Sequence, residues 1–149
     1  MQTRQLLKIA ALAAGLTLAL AGCSALSSGN NNTVVLGGNL SGASEVPAVN
    51  TAGSGTVEAR FDKSTQVLSW KVSFTGLSGP ATAAHFHGPA APGSNAGVVI
   101  PFTGSTSPIE GSATLTPAQA ADLLAGKWYA NVHTAANKGG EVRAQISVR

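Results

Sequence analysis

Charge is what this chain has least of. Asp, Glu, Lys and Arg make up 10% of its 149 residues. The six carboxylates are scattered, so a paired acid/base of the hydrolase type is poorly motivated. No run of Lys or Arg is available to neutralise a phosphate backbone, and no nucleic-acid partner is expected. There is no Gly-x-Ser-x-Gly elbow, and no glycine-rich phosphate loop leads into a helix. A single cysteine, Cys23, excludes an internal disulfide and leaves no second thiol for nucleophilic chemistry. The balance of these absences is against an enzyme.

The position of the lone cysteine suggests its use. "MQTRQLLKIAALAAGLTLALAGC" has a short basic start with Arg4 and Lys8, then an apolar run to Gly22 rich in Ala and Gly. That is the pattern of an export signal, too short for a comfortable membrane span. Leu20-Ala21-Gly22-Cys23 looks like a bacterial lipobox, in which the cysteine is acylated and becomes the new N-terminus. An exposed free thiol is a liability in an exported protein. Two or more acyl chains, at about 0.8 kcal/mol per buried CH₂, suffice for stable anchoring. The expected organisation is a signal at 1–22, lipidated Cys23 with a Ser/Asn-rich tether over 23–33, and one folded domain over 34–149. The expected partner is a membrane, reached through the lipid on Cys23 and facing the periplasm or the cell surface. Without Arg4 and Lys8 the formal charge of +3 falls to +1, so the basic balance says little about the mature protein.

What the folded part does have is alternation. "TVEARFD" places Val57, Ala59 and Phe61 opposite Glu58, Arg60 and Asp62. "VLSWKVSF" places Leu68, Trp70, Val72 and Phe74 on one face. "KWYANVHT" sets Trp128, Ala130 and Val132 against Tyr129, Asn131 and His133, and "EVRAQISV" sets Val142, Ala144, Ile146 and Val148 against Glu141, Arg143, Gln145 and Ser147. Period two of this kind predicts half-buried strands. Further strands are expected at 34–40, 82–87, 97–103 and 110–116, punctuated by turn-rich segments such as "GPAAPGSNAG". One segment breaks the pattern. "TPAQAADLLAG" offers Thr116 as N-cap, Pro117 at N1, Gly126 as a stop and an apolar stripe of Ala120, Leu123 and Leu124. The predicted fold is all-β, an antiparallel sandwich or flattened barrel with one short crossing helix.

The chemistry-bearing residues are the histidines. In "AAHFHG", His85 and His87 share a strand face, with Phe86 turned to the core. If 134–140 form a hairpin loop, His133 falls opposite Glu141, Asn131 opposite Arg143 and Tyr129 opposite Gln145, all on the polar face. Two readings stand side by side. In one, His85, His87 and His133 form a mononuclear copper or zinc site, with Glu141 as fourth ligand or as the acceptor that fixes a tautomer. That site requires the imidazole nitrogens to converge within about 4 Å. In the other, the histidines form a hydrogen-bonded cluster that pins strand ends. Glu141 and Arg143 are expected as exposed polar groups worth about 0–1 kcal/mol. Glu45, ahead of Pro47, either contacts the histidines or caps a strand, and Tyr129 is expected half-buried with its hydroxyl bonded.

In order along the chain, "LSGASEVPAV", "AAHFHGPA", "GVVIPF", "LTPAQAADLLAGKWYANVHT" and "GGEVRAQI" resemble the chordin-type domain, CHRD, over about residues 36–148. Val142 and Ala144 are mild departures from its usual Gly-Glu-Ile-Arg-Gly-Gln-Ile. The resemblance implies an immunoglobulin-like β-sandwich in a binding or structural module, and no reaction. The strand-borne His-x-His is also similar to copper/zinc superoxide dismutases. Three histidines are too few for their two metals, and the disulfide cysteines are lacking, so full dismutase chemistry is not expected.

Overall fold

A computed structural model describes residues 32–149. The signal segment, Cys23 and nearly all of the expected tether lie outside the described residues.

The alternating segments become strands. They are β1 (Thr33–Ser41), β2 (Ser54–Asp62), β3 (Val67–Thr75), β4 (Ala81–His87), β5 (Val98–Pro101), β6 (Ile109–Thr114), β7 (Trp128–Thr134) and β8 (Val142–Val148). A 3-10 turn at Gly42–Ser44 follows β1. All eight strands are hydrogen-bonded into one sheet in the order β5-β4-β7-β8-β1-β2-β3-β6, and every pairing is antiparallel. The sheet curls over its own apolar face. Trp70 of β3 and Phe86 of β4 stand far apart in strand order, yet their rings meet edge-on at 5.3 Å. Phe102, just after β5, stacks on Trp70 at 5.2 Å and closes the same cluster. The result is a sandwich-like, nearly closed β domain.

The predicted inward faces form this core. Val57, Ala59, Phe61, Leu68, Trp70, Val72, Phe86, Trp128, Ala130, Val132, Val142, Ala144 and Ile146 are all buried in one contiguous cluster. Val148, placed on that face by alternation, is 54% exposed at the end of β8.

Helix α1 (Pro117–Leu124) crosses from β6, at one edge of the sheet, to β7 near the other. Its start is built as the sequence predicts. Thr116 Oγ1 accepts from Gln119 N–H while Gln119 Oε1 accepts from Thr116 N–H, a reciprocal cap of a kind worth about 1 kcal/mol. Ala120 and Leu123 are buried, whereas Leu124, expected on the same stripe, stays partly exposed.

One strand departs from the half-buried expectation in a way that matters for function. All seven residues of β7 are buried, on the polar face as well as the apolar one. The segment 88–97 lies over that polar face. Tyr129, Arg143 and Gln145 all hydrogen-bond to its backbone, at Ala96, Ser94 and Ala90. Asn95 Nδ2 then donates to Val46 O, tying this roof to the loop that carries Glu45.

Candidate metal centre

Register brings the histidines together. On the β4–β7 ladder His85 lies opposite Asn131, His87 opposite Tyr129 and Ala83 opposite His133. His85 and His133 are therefore diagonal neighbours on one face, within reach of long side chains. Their nitrogens meet, His85 Nδ1 lying 3.1 Å from His133 Nε2. One ring nitrogen from each of the three histidines lies within 4.8 Å of the other two. That is wider than the 4 Å set by the sequence argument, and the slack belongs to His87. Its ring centroid is 6.3 Å from that of His133, against 4.9 Å between His85 and His133.

His87 is held where it is by two contacts. Its Nδ1 lies 3.0 Å from Ala96 O, and its ring stacks parallel on Tyr129 at 4.8 Å. The Tyr129 hydroxyl uses the same peptide, accepting from Ala96 N–H and donating to Ala96 O. On the other side of the tyrosine, the Arg143 guanidinium carbon sits 3.4 Å from the ring centroid. Guanidinium, phenol and imidazole thus form a three-layer stack from β8 through β7 to β4.

These contacts settle the tautomers. A carbonyl only accepts, so His87 carries its hydrogen on Nδ1 and leaves a lone pair on Nε2. His133 is set the same way, because its Nδ1 lies 2.9 Å from Lys138 O. Backbone carbonyls that fix a ring and direct its other nitrogen inward are the usual outer support of metal-binding histidines. His87 Nε2 is buried with no hydrogen-bond partner, a costly arrangement for a polar atom. Asn131 adds to this. Its amide nitrogen donates to Gly139 O, which turns Oδ1 toward His133 Nε2 at 2.9 Å. Asn131 Oδ1 and His133 Nε2 are then both acceptors, and His85 Nδ1, 3.1 Å from the same Nε2, is placed either to donate a hydrogen to it or to share an ion with it. Burial, and then the neighbouring rings, hold the pKa of His85 below the ordinary histidine value. Burial does the same to His87, against the opposing pull of Ala96 O and of the nearby Asn131 side chain. Both shifts favour the neutral form that ligation requires.

Glu141 does not join the cluster. Its carboxylate accepts from Thr51 Oγ1 at 2.6 Å, Ser78 N–H at 2.7 Å, Thr134 Oγ1 at 2.6 Å and Asn137 Nδ2 at 3.0 Å, and from the Ser78 hydroxyl. It is neither fourth ligand nor tautomer-fixing acceptor. The reason is local. Gly140 takes φ +128 and β8 begins only at Val142, so the alternation that placed Glu141 beside His133 does not extend to it. Glu141 and Arg143 are also fully buried rather than exposed. Burial alone would raise the Glu141 pKa, but the hydroxyls of Ser78, Thr134 and Thr51 together outweigh it and bring it down to about 2.

Glu45 lies against Asn131, a neighbour of the cluster, and makes no contact with a histidine. It is buried and next to Asn131, and a Cβ at Gly140 would lie 2.6 Å from Asn131 Nδ2 and closer still to Glu45 Oε1. Only glycine permits that approach. Burial pushes the Glu45 pKa up to about 7, with Arg143 pulling the other way. Asn131 and the Tyr129–Arg143 stack carry roles that the sequence reading did not assign. The available signal was the Tyr-x-Asn-x-His face itself, read there only as a polar surface.

The fold is an antiparallel, sandwich-like all-β module with a roofed, histidine-bearing polar face. The family model for the CHRD domain matches residues 36–146, and the chain belongs to that family. No curated protein and no solved structure matches it.

Proposed function

We propose that this is a lipid-anchored, extracytoplasmic CHRD module whose binding function is a mononuclear copper or zinc centre at His85, His87 and His133. The observation that carries the reading is the orphaned lone pair of buried His87 Nε2, directed by Ala96 O toward two further imidazoles. His133 Nε2 and His85 Nδ1 supply the other donors. Imidazole suits copper and zinc, and bonds of about 2.0–2.1 Å require the three nitrogens to draw closer than the 4.8 Å within which they lie.

Equilibrium dialysis against Cu(II) and Zn(II) tests it. Wild-type protein is expected to retain one ion per chain, and His87→Ala to lose affinity by more than the roughly 10–100-fold that removal of an outer support costs. Equal retention by the two proteins, or none by either, would leave the histidines as a cluster that only pins strands and would end the metal reading.

The anchor is tested separately. Cys23→Ser is expected to abolish incorporation of labelled fatty acid and to release the protein from the membrane fraction. Label on the mutant would refute lipidation at that residue.

A further inference from the structure

We infer that the centre is built for monovalent copper, Cu(I), in preference to either divalent ion. The inference rests on the metal reading above and narrows it. Every donor the fold brings together is neutral: two Nε2 lone pairs, one His85 ring nitrogen, and Asn131 Oδ1 beside them. No carboxylate joins the converging group, because Glu141 is committed to its hydroxyl and amide donors and Glu45 turns toward Asn131. The sole cysteine and sole methionine, Cys23 and Met1, lie outside the described residues.

Arg143, a cation 1% exposed with no ion-pair partner among the described residues, lies one ring away from His87. Glu45 lies against Asn131 rather than against a histidine. An ion entering this site keeps its full charge in a desolvated place. The cost of that grows with the square of the charge, so a divalent ion pays roughly four times the penalty of a monovalent one. Repulsion from Arg143 doubles as well. Closed-shell Cu(I) is satisfied by three nitrogen donors, whereas zinc normally takes a fourth ligand.

The test is an anaerobic titration of the whole mature protein. Cu(I), kept reduced with ascorbate, is competed against bicinchoninate, and Zn(II) and Cu(II) against chromophoric chelators of their own. One Cu(I) per chain is expected, bound more tightly than Zn(II) or Cu(II) by about tenfold or more. The bound couple should have a reduction potential above that of aqueous copper. Asn131→Asp places an anion against His133 Nε2 and should lower the potential, by about 59 mV for each tenfold shift in the Cu(II)/Cu(I) affinity ratio. Tighter Zn(II) or Cu(II) binding in the wild type overturns the Cu(I) assignment while leaving the metal centre. Absence of any bound ion overturns both. A potential that stays put or rises in a folded Asn131→Asp overturns the charge argument, and if that variant fails to fold the wild-type order of affinities decides.

Discussion

Glu141→Gln is expected to destabilise the domain by about 3 kcal/mol, read as a lower midpoint in urea with an unchanged slope. The buried carboxylate gathers donors from three separate segments: Thr51 ahead of β2, Ser78 between β3 and β4, and Thr134 with Asn137 at the β7–β8 hairpin. Glutamine keeps the shape but removes the charge and turns an N–H₂ toward groups that already donate. The pH dependence carries the same signature. An unfolded Glu titrates near 4.5 and the folded one near 2, so the unfolded chain takes up the proton first as pH falls. The stabilisation is complete above pH 4.5 and is lost between 4.5 and 2. Glu45 in the metal-free protein works in the opposite sense. Its folded pKa of about 7 lies above the unfolded value, so its contribution is complete below pH 4.5 and is lost as pH rises through 7. His85 and His87, whose folded pKa values lie below 6.5, oppose Glu45 on the neutral side, so the clean signature is the acid limb, which Glu141→Gln should flatten between pH 4.5 and 2. A variant whose acid limb matches the wild type would contradict this account.

Arg143→Lys is expected to cost about 2 kcal/mol although it keeps the charge. The guanidinium donates from Nη1 to Asn95 Oδ1 at 3.1 Å and from Nη2 to Ser94 O at 2.7 Å while lying flat on Tyr129. A lysine cannot make that planar fork or stack. The lost bonds belong to the roof over β7, so amide exchange should accelerate across residues 88–97 and not in α1. Because Ala96 O positions His87, metal affinity should fall by about tenfold, as when an outer support of a ligand is removed. Unchanged exchange in the roof segment would refute the role given to Arg143.

The strands were legible because the chain is so poor in charge. With few polar residues to confuse the period, Val57-Ala59-Phe61 and Trp128-Ala130-Val132 could only face one way, and both triplets are in the core. The β7–β8 register was legible too. Tyr129 pairs with Gln145 and Asn131 with Arg143, since a hairpin loop fixes everything after it. The convergence of three histidines does not follow from that arithmetic, because it rests on β4 pairing with β7, which no hairpin loop sets. What could not be read was whatever depends on partners distant in sequence. Thr51 and Ser78 lie 90 and 63 residues from Glu141, and no periodicity links a hydroxyl in one loop to a carboxylate in another. The roof was hidden for a similar reason. "GPAAPGSNAG" reads as a turn-rich connection, and the backbone carbonyls that hold Arg143 and His87, with Asn95 Oδ1 beside them, are invisible as side-chain chemistry.

The place of β1 in the sheet sets the timing of folding. β1 is bonded on one side to β2 and on the other to β8, so the first and last strands of the domain are neighbours. During synthesis β1 can zip to β2 early, but its other edge stays an open template until the final seven residues of strand arrive. Closing so long a loop is slow, since its entropy is lost before any contact across it is gained. β7, which carries His133, takes its place between β4 and β8. The histidine site spans β4 and β7, with His85 and His133 48 residues apart, so it forms only once β7 has paired with β4.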